Sequence, residues 1–339
     1  MDRFLCTTYT YSVPSPSPIS IPRTDMKIPT PSPGFLGQNN LLMVLVVILA
    51  ITMVLMIWYR SSAPRRQEGF IQNERFLVRR QKDIYDEFTA HIYDKIHRPK
   101  QLNQTIFDAT ASLTQTDPQR SVFLDAGSGT GELAAYIQQK GYKYVFGIDQ
   151  SAHMNQAAHL KYPHLQLKQG DLDQPMAFDK HTFTHILMTG HTIYSFSDKV
   201  QLFRNLYYWL MPHGYLILQL VDREKFDPIP TVGKPLLVDS VQVFVEDRVT
   251  DTEIDFIEFR YKSSYDFSQT TKNQVIFQEA FTDACTHHVR MNEQILYMES
   301  VEDIVYMAQY AGFLVHGQMN LMEAVGDKHQ YIFVLERPN

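Results

Sequence analysis

The stretch Val122–Ser151, VFLDAGSGTGELAAYIQQKGYKYVFGIDQS, reads as strand, glycine turn, helix and second strand. Val122 to Asp125 is apolar up to its closing carboxylate. Gly127, Gly129 and Gly131 then alternate with small hydroxyl residues. Gly131 to Lys140 has helical spacing and is ended by Gly141, and Tyr144 to Asp149 is a second apolar run. In an open parallel sheet, ligands bind beyond the carboxyl ends of the strands. Glycines let a backbone approach a ligand closely, and the free N–H groups of the following helix suit a carboxylate. Asp149 is placed to accept hydrogen bonds from the two hydroxyls of a ribose. As structure alone it could cap the next helix, a job that Ser151 can also do.

Outward from this unit the alternation continues. His164 to Gln169 is a third strand ending at Gly170-Asp171, Phe183 to Met188 a fourth, and Lys199 to Leu210 a helix. Pro212-His213-Gly214 makes a turn into a fifth strand, Tyr215 to Val221. VEDIVYMAQYAGFLVHGQ predicts a helix, a stop at Gly312 and a strand, and KHQYIFVLER a final strand. Strands separated by helices imply a parallel sheet with right-handed crossovers. Between residues 222 and 300 the character changes. VQVFV, IDFIEFRYKSSY, NQVIFQEAF and HHVRM are β-rich, which predicts an antiparallel sheet inserted after the fifth strand and covering the cleft. Ahead of the first strand, FLVRRQKDIYDEFTAHIYDKI has helical spacing, with Tyr85, Phe88, Ile92 and Ile96 on one stripe.

The chain has 339 residues, 44% hydrophobic, with net charge −6. Beyond residue 60 there are 27 basic and 35 acidic residues, a balance poorly suited to duplex nucleic acid. Cys6 and Cys285 are too few and too far apart for a disulfide framework or a CxxC metal site. Residues 1–40 are rich in Pro and Ser, the composition of a disordered tail, whether recognition element or spacer. LLMVLVVILAITMVLMIW, Leu41 to Trp58, has no charge and one polar residue, Thr52. At about 1.5 Å per residue it just reaches across a hydrocarbon core, which predicts a transmembrane helix over 41–59; a buried core helix is the alternative. Arg60, Arg65 and Arg66 follow within a basic linker, 60–74, so positive-inside bias puts the domain at 75–339 in the cytosol, and Asn103-Gln104-Thr105 goes unglycosylated. A short ectodomain, one span and an enzyme domain together look like a protein of a large DNA virus membrane.

The spacing GxGxG, preceded by Asp125, departs from the GxGxxG of dinucleotide sites. With IYDEFTAHIYDKI, GIDQS, KQGDLD, FTHILMTGHTIYSF, LMPHGYLILQL, AGFLVHG and YIFVLE in this order, the chain from Gln81 to Glu336 resembles the class I S-adenosylmethionine-dependent methyltransferases. The resemblance implies a Rossmann-like, doubly wound α/β sheet, mostly parallel with an antiparallel last strand. Carried over residue by residue, it implies that Asp125, Gly127, Gly129 and Gly131 face the methionine part of the cofactor. Asp149, with Gln150 beside it, holds the ribose; Asp171 and Leu172 lie by the adenine; Met188 and Thr189 line the other side. Tyr85 and Tyr93 sit where the family's leading helix closes over the site, although both also fit a core stripe.

Methyl transfer from a sulfonium needs alignment and exclusion of water more than a protein nucleophile. The fourth strand is followed by Met188-Thr189-Gly190-His191, not by an (Asn/Asp)-Pro-Pro-aromatic run, a nucleophilic cysteine or a metal-binding aspartate. His191 and Tyr194 remain as candidate general base or orienting donor on the acceptor side, against a plain solvated-loop reading. His287-His288 have no third ligand nearby, so no metal is expected. The sequence thus points to a membrane-anchored methyltransferase acting on an O or N acceptor: a small molecule, a lipid or a membrane-proximal substrate. The alternatives are a non-catalytic membrane or envelope protein that retains the cofactor fold, and an NAD-dependent oxidoreductase.

Overall fold

The computed structural model describes residues 38–62, 72, 74–97, 100–233, 242, 247–269, 271 and 273–339. It divides into two compact units, Met1–Arg66 and Gln67–Asn339. In the first unit, helix α1 (Gln38–Ser62) starts before the expected span and continues into the expected linker. Its described apolar side chains are exposed on every side, and the hydroxyl of Thr52 turns back to the Leu49 carbonyl at 2.9 Å. Among the described residues, no helix is long and apolar enough to cross a membrane. Of the span expected at 41–59, the side chains of residues 41, 42, 57 and 59 lie outside the described set, as does the expected tail over residues 1–37 and most of the linker.

The second unit is built on a seven-stranded sheet. Its strands are β2 (Val122–Ala126), β3 (Tyr144–Asp149), β4 (Gln166–Gln169), β5 (Phe183–Met188), β6 (Leu210–Val221), β11 (Leu314–Leu321) and β12 (Asp327–Glu336), in the order β11-β12-β6-β5-β2-β3-β4. All neighbours pair in parallel except β12, which is antiparallel to both β6 and β11. β2, β5 and the second half of β6 are buried on both faces, as crossover helices require, while the edge strands β4 and β11 are largely exposed. Phe123, Leu187, Ile217 and Val334 pack with α3 (Lys100–Leu113) and α4 (Glu132–Gln139). Leu124, Ile186, Leu218 and Leu335 pack with α6 (Lys199–Trp209) and α7 (Val301–Tyr310). The strand order reverses between β2 and β5, so the glycine turn after β2 opens at the switch point.

A second sheet, ordered β1-β10-β9-β8-β7, comes largely from the expected insertion: β7 (Asp251–Asp255), β8 (Phe259–Asp266), β9 (Gln274–Asp283) and β10 (Val289–Tyr297) pair antiparallel. Three expectations need correction here. Phe76–Arg80 is strand β1, paired in parallel with β10, and not the start of a helix. The helix α2 begins only at Glu87 and ends at His97, after a single 3-10 turn, Gln81–Ile84. IDFIEFRYKSSY is two strands, bent at Phe256–Glu258 with Ile257 fully in solvent. Pro212-His213-Gly214 falls inside β6 as a bulge: His213 has φ +60°, and the pairing with β5 slips from Phe183 against Leu210 to His185 against Tyr215. α3 carried no expectation, and VQVFV lies outside the described residues apart from Gln242.

α2 packs on the second sheet and not on the first. Ile92 and Ile96 share a buried cluster with Phe259, Tyr261 and Phe281. The two sheets are also joined by Lys199, whose fully buried Nζ lies 2.6 Å from Glu299 Oε2 and donates to the carbonyls of Phe196 (2.8 Å) and Tyr297 (2.7 Å). Burial pushes this lysine's pKa down, against the pull of Glu299. Removing one partner would leave the other charge uncompensated, so Lys199→Ala should cost about 3–5 kcal/mol in urea unfolding. A loss below about 1 kcal/mol would show that the pair does not tie the sheets.

Candidate active site

The glycine turn is shaped by its neighbours as much as by any ligand. Gly127 has φ +81°, and a Cβ there would sit 2.6 Å from Thr192 Cγ2 on the loop after β5. Gly129, at φ +51°, would have its Cβ in open space, which makes it the point of backbone exposed to the cavity. Gly131 starts α4 and does not line the cavity. The N–H groups of Gly127 and Ser128 both donate to the Ile148 carbonyl, at 2.9 and 3.0 Å.

Asp149 ties this turn to β3. Its Oδ2 accepts from Gly129 N at 2.9 Å and its Oδ1 from Ser151 N at 2.8 Å. Ser151 is the true N-cap of α5 (Ala152–Lys161), accepting from Met154 N at 3.1 Å and donating to the Tyr85 carbonyl at 2.5 Å. Asp149 therefore keeps accepting capacity on both oxygens, since an ionised carboxylate offers about four lone-pair sites. Burial pushes its pKa up, against the two N–H bonds. Asp125, 3% exposed, accepts from Ala134 N at 3.2 Å; burial raises it to about 7, with the Asp149 charge adding to the shift.

α2 closes over the turn. Thr130 donates to Asp94 at 2.7 Å, and Lys161 binds Asp94 at 2.8 Å and also Glu132. Tyr85 and Tyr93 both line the cavity, as do Ile92 and Ile96 of the same stripe. Burial, then Glu279 and Asp149, push the Tyr85 hydroxyl up to about 12. Tyr93 is raised for the same first reason and stacks on His97 at 4.4 Å. Burial and the neighbouring His191 push His97 down to about 4.

A cavity of about 300 Å³ gathers Asp125, Gly127, Gly129, Asp149, Gln150, Asp171, Leu172, Thr189 and His191 along one wall. Met188 stands apart, buried within the sheet core. His191 reaches the cavity at the start of a 3-10 turn with φ +65°, an uncommon backbone conformation of the kind that concentrates at functional sites. Gly190 beside it is held by its N–H to Gln219 Oε1 at 2.9 Å. Tyr194 does not reach the acceptor side. The same 3-10 turn carries it inward, where it is fully buried and its hydroxyl accepts from Val221 N at 2.8 Å. His287 and His288 sit in the β9–β10 connection outside the lining, with His288 Nδ1 2.9 Å from the Gln72 carbonyl. Among the described residues, no group of three or more His, Cys, Asp or Glu could hold a metal.

The facing wall comes from the second sheet, expected to cover the cleft, but its lining residues were not singled out in the sequence. Tyr261, Ser263, Tyr265, Phe277, Glu279 and Gln294 line it. Glu279 is buried, accepting from Tyr261 Oη at 2.9 Å and Asn292 Nδ2 at 3.2 Å. Burial raises its pKa, against those two bonds and the charge of Arg290. A signal was available: Val275, Phe277, Glu279 and Phe281 share one face of β9 at period two, which puts a carboxylate on the apolar side. Among the described lining residues there are six carboxylates and no lysine or arginine.

Residues 123–214 match a family model described as a methyltransferase domain. A demethylmenaquinone methyltransferase of Chlorobaculum tepidum is 32% identical over 102 residues, covering 30% of this chain and 41% of that protein. One from Chlorobaculum parvum is 28% identical over 171 residues, covering 48% and 68%. The chain thus spans less than half the length of the first of these relatives. An S-adenosylmethionine-dependent methyltransferase from Clostridium acetobutylicum shares the fold, with TM-score 0.53 and 16% identity over 74% of this chain and 98% of that one.

The raised carboxyl of Asp125 makes stability pH-dependent. Between about pH 4 and 7 the folded chain holds a proton there that the unfolded chain has lost, so stability falls as pH rises through this window. The full drop is on the order of 4 kcal/mol. Denaturation of the ligand-free chain across this range should show that slope, and Asp125→Asn should flatten it. An unchanged slope in the variant would assign the dependence elsewhere.

Proposed function

We propose that this methyltransferase domain binds S-adenosylmethionine along the β2–β3–β4 wall of the cavity and methylates an O or N acceptor resting on the second sheet. The observation that carries the reading is the pairing of Gly129, open towards the cavity, with a buried Asp149 that retains accepting capacity. Those residues fit the cofactor: a close backbone approach and a carboxylate for ribose hydroxyls. Asp125 would face the ammonium of its methionine part, and Asp171 and Leu172 its adenine. The bound cofactor supplies an electrophilic methyl group on a sulfonium, so the chain needs no nucleophile of its own.

The remaining work falls to the protein. α2, locked through Thr130, Asp94 and Lys161, holds Tyr85 and Tyr93 over the cavity and excludes water. His191 lines the cavity beside Thr189 and is the candidate to receive the proton of a hydroxyl acceptor. For the first unit we infer membrane attachment through α1. The uncharged run Leu41–Trp58, its outward apolar side chains and the basic residues Arg60, Arg65 and Arg66 support this reading, with the domain on the cytosolic side. An acceptor in or near a bilayer follows from that placement.

Calorimetric titration of the full chain in detergent micelles tests the cofactor. S-adenosylmethionine and S-adenosylhomocysteine should bind in the micromolar range, and NAD not at all. Asp149→Ala should weaken both by about 10- to 100-fold, the value of one or two charge-assisted hydrogen bonds. Binding of NAD, or an unchanged affinity in the variant, would contradict the ribose assignment.

A further inference from the structure

The second wall is unusual for the inward face of a sheet. Its alternating positions carry Tyr261, Ser263 and Tyr265 on β8, Glu279 on β9, and Asn292 and Gln294 on β10, where a purely structural face would be apolar. Glu279 is the one carboxylate among them, and its direct partners, Tyr261 and Asn292, are neutral. Arg290, a buried cation on the same face of β10, acts on Glu279 through its charge and through Asn292, but its own ion pair is with Asp86, at 2.8 and 3.0 Å, and it lies 4.7 Å over Phe88. Buried charge is costly unless paired. Four tyrosines, Tyr85, Tyr93, Tyr261 and Tyr265, line the same cavity as Glu279, and Tyr261 donates to it at 2.9 Å. A carboxylate in a cavity lined by several tyrosines and, among the described residues, by no lysine or arginine is the chemistry that recognises an organic cation and rejects an anion.

We propose that Glu279 and the tyrosines around it form an acceptor subsite for a primary or secondary amine carried on an apolar body, bound as its ammonium. The inference rests on the methyltransferase reading and names its acceptor class. The transfer balances without a further reactant. The ammonium gives one proton to the Glu279 carboxylate, and the freed nitrogen lone pair forms the new N–C bond as the bond from methyl carbon to sulfur breaks. The sulfur departs neutral in S-adenosylhomocysteine, the positive charge moves to the methylated nitrogen, and the proton on Glu279 is then lost to solvent. Tyr85 lines the same cavity as Asp149 and Glu279, so the amine and the cofactor are brought to one place.

The test uses the full chain loaded with S-adenosylhomocysteine and three matched probes: 2-phenylethylamine, 2-phenylethanol and phenylacetate. Calorimetry should rank the amine at least tenfold tighter than the alcohol, with phenylacetate not binding. Glu279→Gln should abolish the preference for the amine and leave S-adenosylhomocysteine affinity within about twofold. If the variant does not fold, the ranking by the wild-type chain decides alone. Equal binding of amine and alcohol, no binding of any probe, tighter binding of phenylacetate, or an amine preference that survives in the variant would each overturn the proposal. Failure to load S-adenosylhomocysteine at all would instead strike the methyltransferase reading, so the two failures are distinguishable.

Discussion

Two backbone N–H groups converge on one carboxylate. Asp149, at the end of β3, takes Gly129 N on one oxygen and Ser151 N on the other, and so fixes a turn whose glycines all hold positive φ. Those contacts set where the cavity opens and which piece of backbone faces it. They also connect the turn after β2 to the first turn of α5, and through Ser151 to the backbone of Tyr85 ahead of α2. Without that carboxylate the turn would lose its fixed edge, and Gly129 would be one more mobile glycine.

The cavity is then completed by parts that are distant in sequence. α2 belongs to the second sheet by packing and to the glycine turn by hydrogen bonding, through Thr130, Asp94 and Lys161. That double attachment sets one helix against both the glycine turn and the second sheet. Lys199 and Glu299 do the corresponding job at the other end of the sheets. Among the described residues the enclosure is lined by six carboxylates and no lysine or arginine, and β8–β10 contribute one of them, Glu279.

How far this was legible in the sequence follows from which interactions are local. The glycine turn, Asp149, Asp171 and the strand alternation are encoded over spans of a few to thirty residues, and the chain folds there as its pattern reads. Phe76–Arg80 misled because five residues ahead of a true helix carry no periodicity of their own; they become a strand only when β10, more than two hundred residues on, supplies the ladder. IDFIEFRYKSSY hid a hairpin because its bend, Phe256–Glu258, contains neither Gly nor Pro. Tyr194 had the right neighbourhood and the wrong direction: the 3-10 turn that presents His191 carries it into the core. Glu279 was visible as a charge on the apolar side of an alternating strand, but its meaning depends on the partners that fold against it, Tyr85 and Tyr261 among them.

A crystal structure of the full chain grown with S-adenosylhomocysteine tests the central claim most directly. The account predicts that both ribose hydroxyls lie within hydrogen-bond reach of the Asp149 carboxylate, with the nucleoside covering Gly129 and the adenine beside Asp171 and Leu172. A nucleoside bound elsewhere, or one whose ribose is held by other groups while Asp149 serves only the backbone of Gly129 and Ser151, would contradict it.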